Sequence, residues 1–287
     1  MRRFCRLGLT GIIFVTLLGG AGASPPPGGF TYTSIDCPGA TWTIALGINE
    51  RGTIVGQYYD ASEGRYCGFL RTREGSYSSA CTADGISIDG AAGINARGDI
   101  AVGCYGGTST CLFRDGVLTR LDIQGAWTTG PAGINQQGDV VGGYIDASWQ
   151  YHGYLWRDGV STTIDHPDGN ATSARGINAR GDIVGTYNRW SQGPTGFLLR
   201  EGQFTDFVFP NAVATEALGN NERGDIVGDY TFDWWNTAQA FVLRNGEFTT
   251  LELPGPYTEA RGINNRGQIV GTYRDEDGQH GFLAVPR

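Results

Sequence analysis

The chain has 287 residues, of which 47 are glycine and 11 proline, with 40% hydrophobic and only 17% charged residues. Glycine at roughly 16%, against about 7% in an average protein, excludes long helices and coiled coils, while the lack of a Gly-X-Y register excludes collagen and 11% aromatic residues argue against disorder. The 21 basic residues, all arginine, stand against 29 acidic ones, a balance that excludes nucleic acid and anionic lipid as expected partners, because both are bound through clustered basic side chains.

The chain begins with an address. Arg2, Arg3 and Arg6 precede a mostly apolar run from Leu7 to Leu18, and Ala21-Gly22-Ala23 supplies small residues for cleavage. This pattern predicts a secretory signal peptide over residues 1–23, since the apolar run falls short of the ~20 residues a spanning helix needs. A short Pro-rich linker, residues 24–28, leads into one domain over residues 29–287. The expected destination is the extracellular space or the periplasm, with no membrane contact in the mature form.

Residues 29–40, GFTYTSIDCPGA, read as an outer strand with its exit loop and no partner strands before it. A repeat then takes over. GINERGTIVGQY from Gly47 returns as GINARGDIAVGCY, GINQQGDVVGGY, GINARGDIVGTY, GNNERGDIVGDY and GINNRGQIVGTY. The anchoring Asn49, Asn95, Asn135, Asn178, Asn221 and Asn264 recur about every 43 residues, the period of a four-stranded propeller blade.

Each copy reads as four strands. Strand a carries small residues at alternate positions: the column Thr43, Asp89, Thr129, Thr172, Thr215 and Thr258, followed by alanine or proline and glycine. Such a strand suits the crowded centre of a ring. Asn-x-x-Gly makes the a–b turn, the Asn bonding its own following backbone and the Gly accepting φ > 0. Strand b is Ile-Val-Gly-x-Tyr, and Ala101 in the second copy reads as an inserted bulge residue. Strand c is the His-Gly-Phe-Leu type segment, and strand d follows an Arg-x-Gly turn.

The final copy stops after strand c. An orphan N-terminal strand could supply the missing fourth, which predicts an all-β, six-bladed propeller closed by N-terminal pairing with the last blade. Five cysteines follow the signal. Cys67 and Cys81 lie on successive strands of the first copy, Cys104 and Cys111 bracket the second b–c hairpin, and both pairs read as disulfides in an oxidising compartment. Cys37 falls outside both.

The repeat GIN-x-x-G-x-I-V-G-x-Y, the HGF-type strand and the T-x-x-D-x-P-G-A-type exit resemble the HAF family of extracellular bacterial repeat proteins over residues 29–284. The resemblance implies a secreted protein and brings no catalytic residues with it.

Chemistry is expected on the face built from the d–a and b–c loops. Trp149, Tyr151, Trp190, Trp234 and Trp235 fall in b–c loops, and Trp127 and Tyr257 start strand a on the same face. Such rings can stack on sugars or grip peptide side chains, or instead cap the blade tops. The leading expectation is therefore a monomeric binding module for an extracellular carbohydrate, another polymer or a protein ligand. Asp89, Glu216 and Glu259 near the channel mouth are the candidate acids for an alternative, an extracellular lyase or hydrolase; their plainer reading is contact with Arg175 and Arg261. A third reading is a structural part of a surface assembly. No metal site and no cofactor is expected, since His152, His166 and His280 are far apart in the chain.

Overall fold

The computed structural model describes residues 29–287 except 84–85, 190–191 and 234–236, so the expected signal peptide and linker lie outside the described residues. The chain opens with β1 (Phe30–Ile35). The first repeat follows as β2 (Ala40–Ile48), β3 (Ile54–Asp60), β4 (Arg65–Arg71) and β5 (Tyr77–Ala80). A short strand β6 (Thr82–Ala83) precedes the second repeat, β7 (Ile86–Ile94), β8 (Ile100–Cys104), β9 (Ser109–Arg114) and β10 (Val117–Arg120). The third is β11 (Ala126–Ile134), β12 (Val140–Asp146), β13 (Tyr151–Arg157) and β14 (Val160–Ile164); the fourth is β15 (Ala171–Ile177), β16 (Ile183–Arg189), β17 (Gln192–Arg200) and β18 (Gln203–Phe207). The fifth is β19 (Ala214–Asn220), β20 (Ile226–Thr231), β21 (Gln239–Arg244) and β22 (Glu247–Thr250), and β23 (Tyr257–Ile263), β24 (Ile269–Asp275) and β25 (Gly278–Pro286) end the chain. No described segment is helical, so no helix there is long and apolar enough to cross a membrane.

The architecture is an all-β propeller of four-stranded blades. Repeats three, four and five are each a separate four-stranded antiparallel sheet, and the second gains β6 as a fifth strand. β1 pairs antiparallel with β25, from Phe30 opposite Pro286 to Ile35 opposite Gly281. The expectation of six separate blades needs correction. Four sheets stand as single blades, whereas the first and last repeats share one eight-stranded sheet. The join is local: Trp42 meets Gln279 in a one-residue parallel contact, and its indole Nε1 donates to Gln279 Oε1 at 2.5 Å.

The innermost strands touch in a closed cycle, β2 to β7, β11, β15, β19, β23 and back to β2. Their glycines permit this approach. A Cβ at Gly47, Gly93, Gly133, Gly176, Gly219 or Gly262 would stand 2.6–3.2 Å from backbone of the next repeat. The apolar core lies between neighbouring blades. Val141 and Ile164 of the third repeat, for example, pack with Ala174, Ile183, Tyr187 and Phe197 of the fourth, and burying such side chains contributes roughly 1.5–3 kcal/mol each.

Strand-b glycines are dictated by strand c. A Cβ at Gly56, Gly185 or Gly271 would collide with a strand-a carbonyl and with the ring of Phe69, Phe197 or Phe282. The second repeat solves the same problem differently. Its register places Val102 where the others have this glycine, Cys111 where they have the aromatic ring, and Cys104 where they have tyrosine. Cys104 and Cys111 form one disulfide and Cys67 and Cys81 the other; Cys37 is buried and lies outside both.

That register corrects the reading of Ala101 as a bulge. β8 is regular, and the irregularity sits on β7 between Ile88 and Gly90. Ile88 therefore takes the place of threonine in its column and Asp89 is displaced from it. Tyr105 is pushed beyond β8, where it is exposed with φ 56°.

Candidate functional site

The a–b turn end is built for cohesion. Each Asn of the repeat accepts backbone N–H groups of its own turn at Oδ1 and donates Nδ2 to the carbonyl of the next repeat's Asn. Asp99, Asp182 and Asp225, four residues on, each accept from that Asn and from arginines of strands a–b and c–d. Burial pushes these carboxyls upward, but the hydrogen bonds from Asn and Arg together outweigh it and hold them below the usual range. Arg97, Arg180 and Arg223 thus serve the turn. An axial cavity of about 70 Å³ at this end is lined by the same turns and by Glu50, Glu222 and Asn220.

The loop face is different. Trp127 is 70% exposed and Trp149 73% exposed, and their rings meet with centroids 5.7 Å apart. Two irregularities aim them outward. Trp127 occupies a register shift between Ala126 and Thr128, and bulges re-aim side chains in this way. Trp149 takes φ 64° at the tip of the β12–β13 hairpin, a left-handed conformation that costs a non-glycine residue about 1 kcal/mol or more. Asp146 holds it there: its Oδ1 accepts from Ser148 N and Gln150 N, and its carbonyl accepts from Trp149 N. His152 in turn bridges Asp146 and Asp165, tying the hairpin to the exit loop of the same blade.

Tyr151 extends this edge, its ring lying across Gly143. Trp190, Trp234 and Trp235 lie outside the described residues. Trp42, Tyr59 and Tyr66 form a comparable aromatic group on the first repeat, edge-to-face at 5.3–5.5 Å. Sequence reasoning passed over these three, although Trp42 starts strand a as Trp127 does and Tyr66 faces Tyr59 across the b–c hairpin.

Below the loops, a charged wall belongs to the fourth, fifth and sixth repeats. Glu216 stands directly opposite Asp229 in the β19–β20 register, so both side chains project from one sheet face. Glu259 accepts from Arg261 Nε at 2.7 Å and from the Tyr257 hydroxyl. Tyr257 is therefore part of this wall rather than of the Trp127 edge, with Arg274 over its ring. Burial, then the charges of Glu216 and Glu259, push the Asp229 carboxyl well above its ordinary value, against the opposing pull of Arg261 and Arg175. Asp89 stands apart, accepting from Gly107 N in its own b–c loop. The residue that sequence reasoning missed is Asp229. It fills the variable position of Gly-x-Tyr, where other repeats have Gln57, Gly143, Thr186 and Thr272, and that position faces the same way as Glu216.

No family model and no curated protein sequence matches the chain. Solved structures match at the level of fold. A gluconolactonase from Xanthomonas campestris aligns at TM-score 0.57 and 14% identity, covering 90% of each chain. Virginiamycin B lyase from Staphylococcus aureus aligns at TM-score 0.53 and 12% identity over 89% of this chain and 99% of its own. The Aleuria aurantia lectin, in complex with Fucα1-6GlcNAc, aligns at 0.56 and 12% over 86% and 94%. These likenesses support the propeller part of the resemblance drawn from the sequence; no family model supports the HAF part.

Proposed function

We propose that this protein is a secreted binding module that takes carbohydrate on its loop face, with the shared eight-stranded sheet acting as two blades so that the ring counts six. The observation that carries the reading is the Trp127–Trp149 pair: two large rings held outward against both apolar burial and backbone preference. An aromatic face is the surface on which sugar C–H groups stack, and scattered exposure would not need a capped hairpin to maintain it. The two disulfides suit an oxidising extracellular or periplasmic compartment, and one of the structural neighbours is a lectin. The test is a glycan array on the mature protein, followed by titration calorimetry. Trp127→Ala and Trp149→Ala should each weaken the best ligand about tenfold or more with an unchanged melting temperature; unaltered affinity in both overturns the assignment.

The charged wall favours a second reading, an extracellular lyase or hydrolase. Asp229, its carboxyl pushed upward by burial and by Glu216 opposite it, would supply an acid beside a base on one face. Turnover of polysaccharides or lactones that disappears in Asp229→Asn would establish it.

A further inference from the structure

The charged residues of the axial positions lie in the fifth and sixth repeats, while the first repeat carries Ile44 with Gln57 there. At the position two strands share with Glu259 and Thr272, the fourth to sixth repeats present Ser173 and Thr186, then Glu216 and Asp229, then Glu259 and Thr272. The second and third present only glycine: Gly90 with Gly103, and Gly130 with Gly143. Two residues further along strand a, Arg175 and Arg261 stand where the second and third repeats have Ala92 and Ala132. All lie in the register shift just before the inter-repeat glycine, so the bulge turns both guanidinium groups the same way.

Space on the glycine side is uneven, since Tyr151 lies over Gly143 and Gln57 beside Gly90. A Cβ at Gly103 or Gly130 meets no atom within 4 Å, and Gly130 is exposed although it lies on an innermost strand. The opposite end is narrowed by the inter-repeat glycine contacts and the asparagine ring, around the small axial cavity there. At its loop-face end the axis is thus lined by charged side chains on one side and by glycines, two of them covered by Tyr151 and Gln57, on the other.

Two groups in the charged wall lack side-chain partners among the described residues. Arg175 makes no side-chain hydrogen bond or ion pair among the described residues, and its Nε is buried without a partner. Asp229 is 91% buried and its carboxyl likewise has neither hydrogen bond nor ion pair among the described residues. A buried donor left unmade is costly, more so when charged; Arg261 avoids this by pairing with Glu259. A planar guanidinium with a free edge fits a carboxylate in two parallel hydrogen bonds. The neighbouring carboxyls of Asp229 and Glu216 fit hydroxyl groups, not a second anion. A ligand carrying one carboxylate and several hydroxyls on a compact ring satisfies both.

We infer that the loop-face end of the axis is a subsite for a uronic acid unit, with Arg175 receiving the sugar carboxylate and Glu216 and Asp229 taking ring hydroxyls, beneath the aromatic rim that holds the rest of the chain. The inference rests on the carbohydrate reading of the loop face. Oligomers of glucuronate, galacturonate and mannuronate, each with its neutral counterpart, are titrated calorimetrically into the mature protein and its Arg175→Gln, Arg175→Lys, Trp149→Ala and Arg266→Gln variants. At least one uronate should bind ten times or more tighter than its neutral counterpart. Arg175→Gln should abolish that preference while leaving neutral-sugar affinity unchanged, Arg175→Lys should retain part of it, and Arg266→Gln, at the far end of the ring, should retain it all. Trp149→Ala should weaken acidic and neutral sugars alike. Neutral binding without a uronate preference, or a preference that survives in Arg175→Gln, overturns the axial subsite and leaves the loop-face reading standing; failure of every sugar to bind overturns both. Should Arg175→Gln not fold, the Lys variant decides, since a full preference with the fork removed is also an overturning result.

Discussion

Asn264 donates its Nδ2 to the carbonyl oxygen of Asn49 at 3.1 Å across 215 residues of sequence, and this bond completes a circle of six in which every repeat's Asn holds the next. The same Asn264 accepts from Arg266 N and Gln268 N through Oδ1, so one amide fixes a turn and joins the two ends of the chain. Asn264→Ala removes a donor and an acceptor and leaves buried backbone groups unpaired. The expected loss is about 2–4 kcal/mol, or a fall in Tm of roughly 5–15 °C, read by calorimetry. Asn264→Asp should lose nearly as much, because it keeps the acceptor but not the donor. A Tm within a degree or two of the parent in both would mean the circle is incidental to closure.

How far the sequence foretells this molecule depends on whether a feature is shared by all repeats. The Asn, Gly and Tyr columns are legible because six copies impose the same packing problem, and Tyr187 and Tyr230, for instance, are both buried and bonded to strand d through Asp206 and Thr250. The N-terminal strand is legible because a missing fourth strand leaves an open edge. Features of a single copy are harder. Ala101 misled because the second repeat replaces glycine, tyrosine and an aromatic together, so its alignment by sequence slips one residue. Asp229 hid in a column that tolerates Gln, Gly and Thr, and only the register to Glu216 shows what it faces. The Trp127–Trp149 pair was legible as composition on one face, but its outward pose depends on φ at Trp149 and on Asp146, which no pattern of hydrophobicity records.

The compensating change in the second repeat can be tested directly. Cys104→Ser with Cys111→Ser opens a loop whose cysteines are seven residues apart and should cost about 2–3 kcal/mol. Converting Val102→Gly, Cys104→Tyr and Cys111→Phe together should recover most of that loss, because it restores the glycine, tyrosine and aromatic set used by the other repeats. Melting curves with and without reductant would show it. A triple variant less stable than the double serine variant would contradict the equivalence of the two solutions.

Acid should loosen the a–b turns first. Asp99, Asp182 and Asp225 have folded values below the ordinary aspartate range, so the stability they contribute is complete above the unfolded value and is lost as pH falls through the folded one. Asp182→Asn keeps the shape but not the charge. It should lower stability at pH 7 by about 1–2 kcal/mol, a modest figure because Arg180 and Arg200 are half exposed, and should flatten the decline of Tm between about pH 5 and 2. An unchanged slope below pH 5 would place the acid sensitivity elsewhere.

Asp229 carries the opposite sign. Its folded value lies above that of the unfolded chain, because burial and the charges of Glu216 and Glu259 disfavour ionisation. The folded protein therefore holds a proton that the unfolded chain releases near pH 4. The stability this contributes is complete below that pH and is lost as pH rises toward the folded value. Asp229→Asn mimics the protonated carboxyl at every pH, so its melting temperature should match the parent in acid and exceed it at pH 7–8, with each kcal/mol gained worth about 2–4 °C. Glu216→Gln should act in the same direction but less strongly, since it removes one of two neighbouring charges and leaves the burial untouched. If Asp229→Asn instead melts lower than the parent at pH 8 while matching it at pH 4, then Asp229 is ionised in the folded state, and Arg175 and Arg261 outweigh both burial and the neighbouring glutamates. That outcome would also remove the acid from the lyase or hydrolase reading, because a carboxylate already ionised has no proton to give.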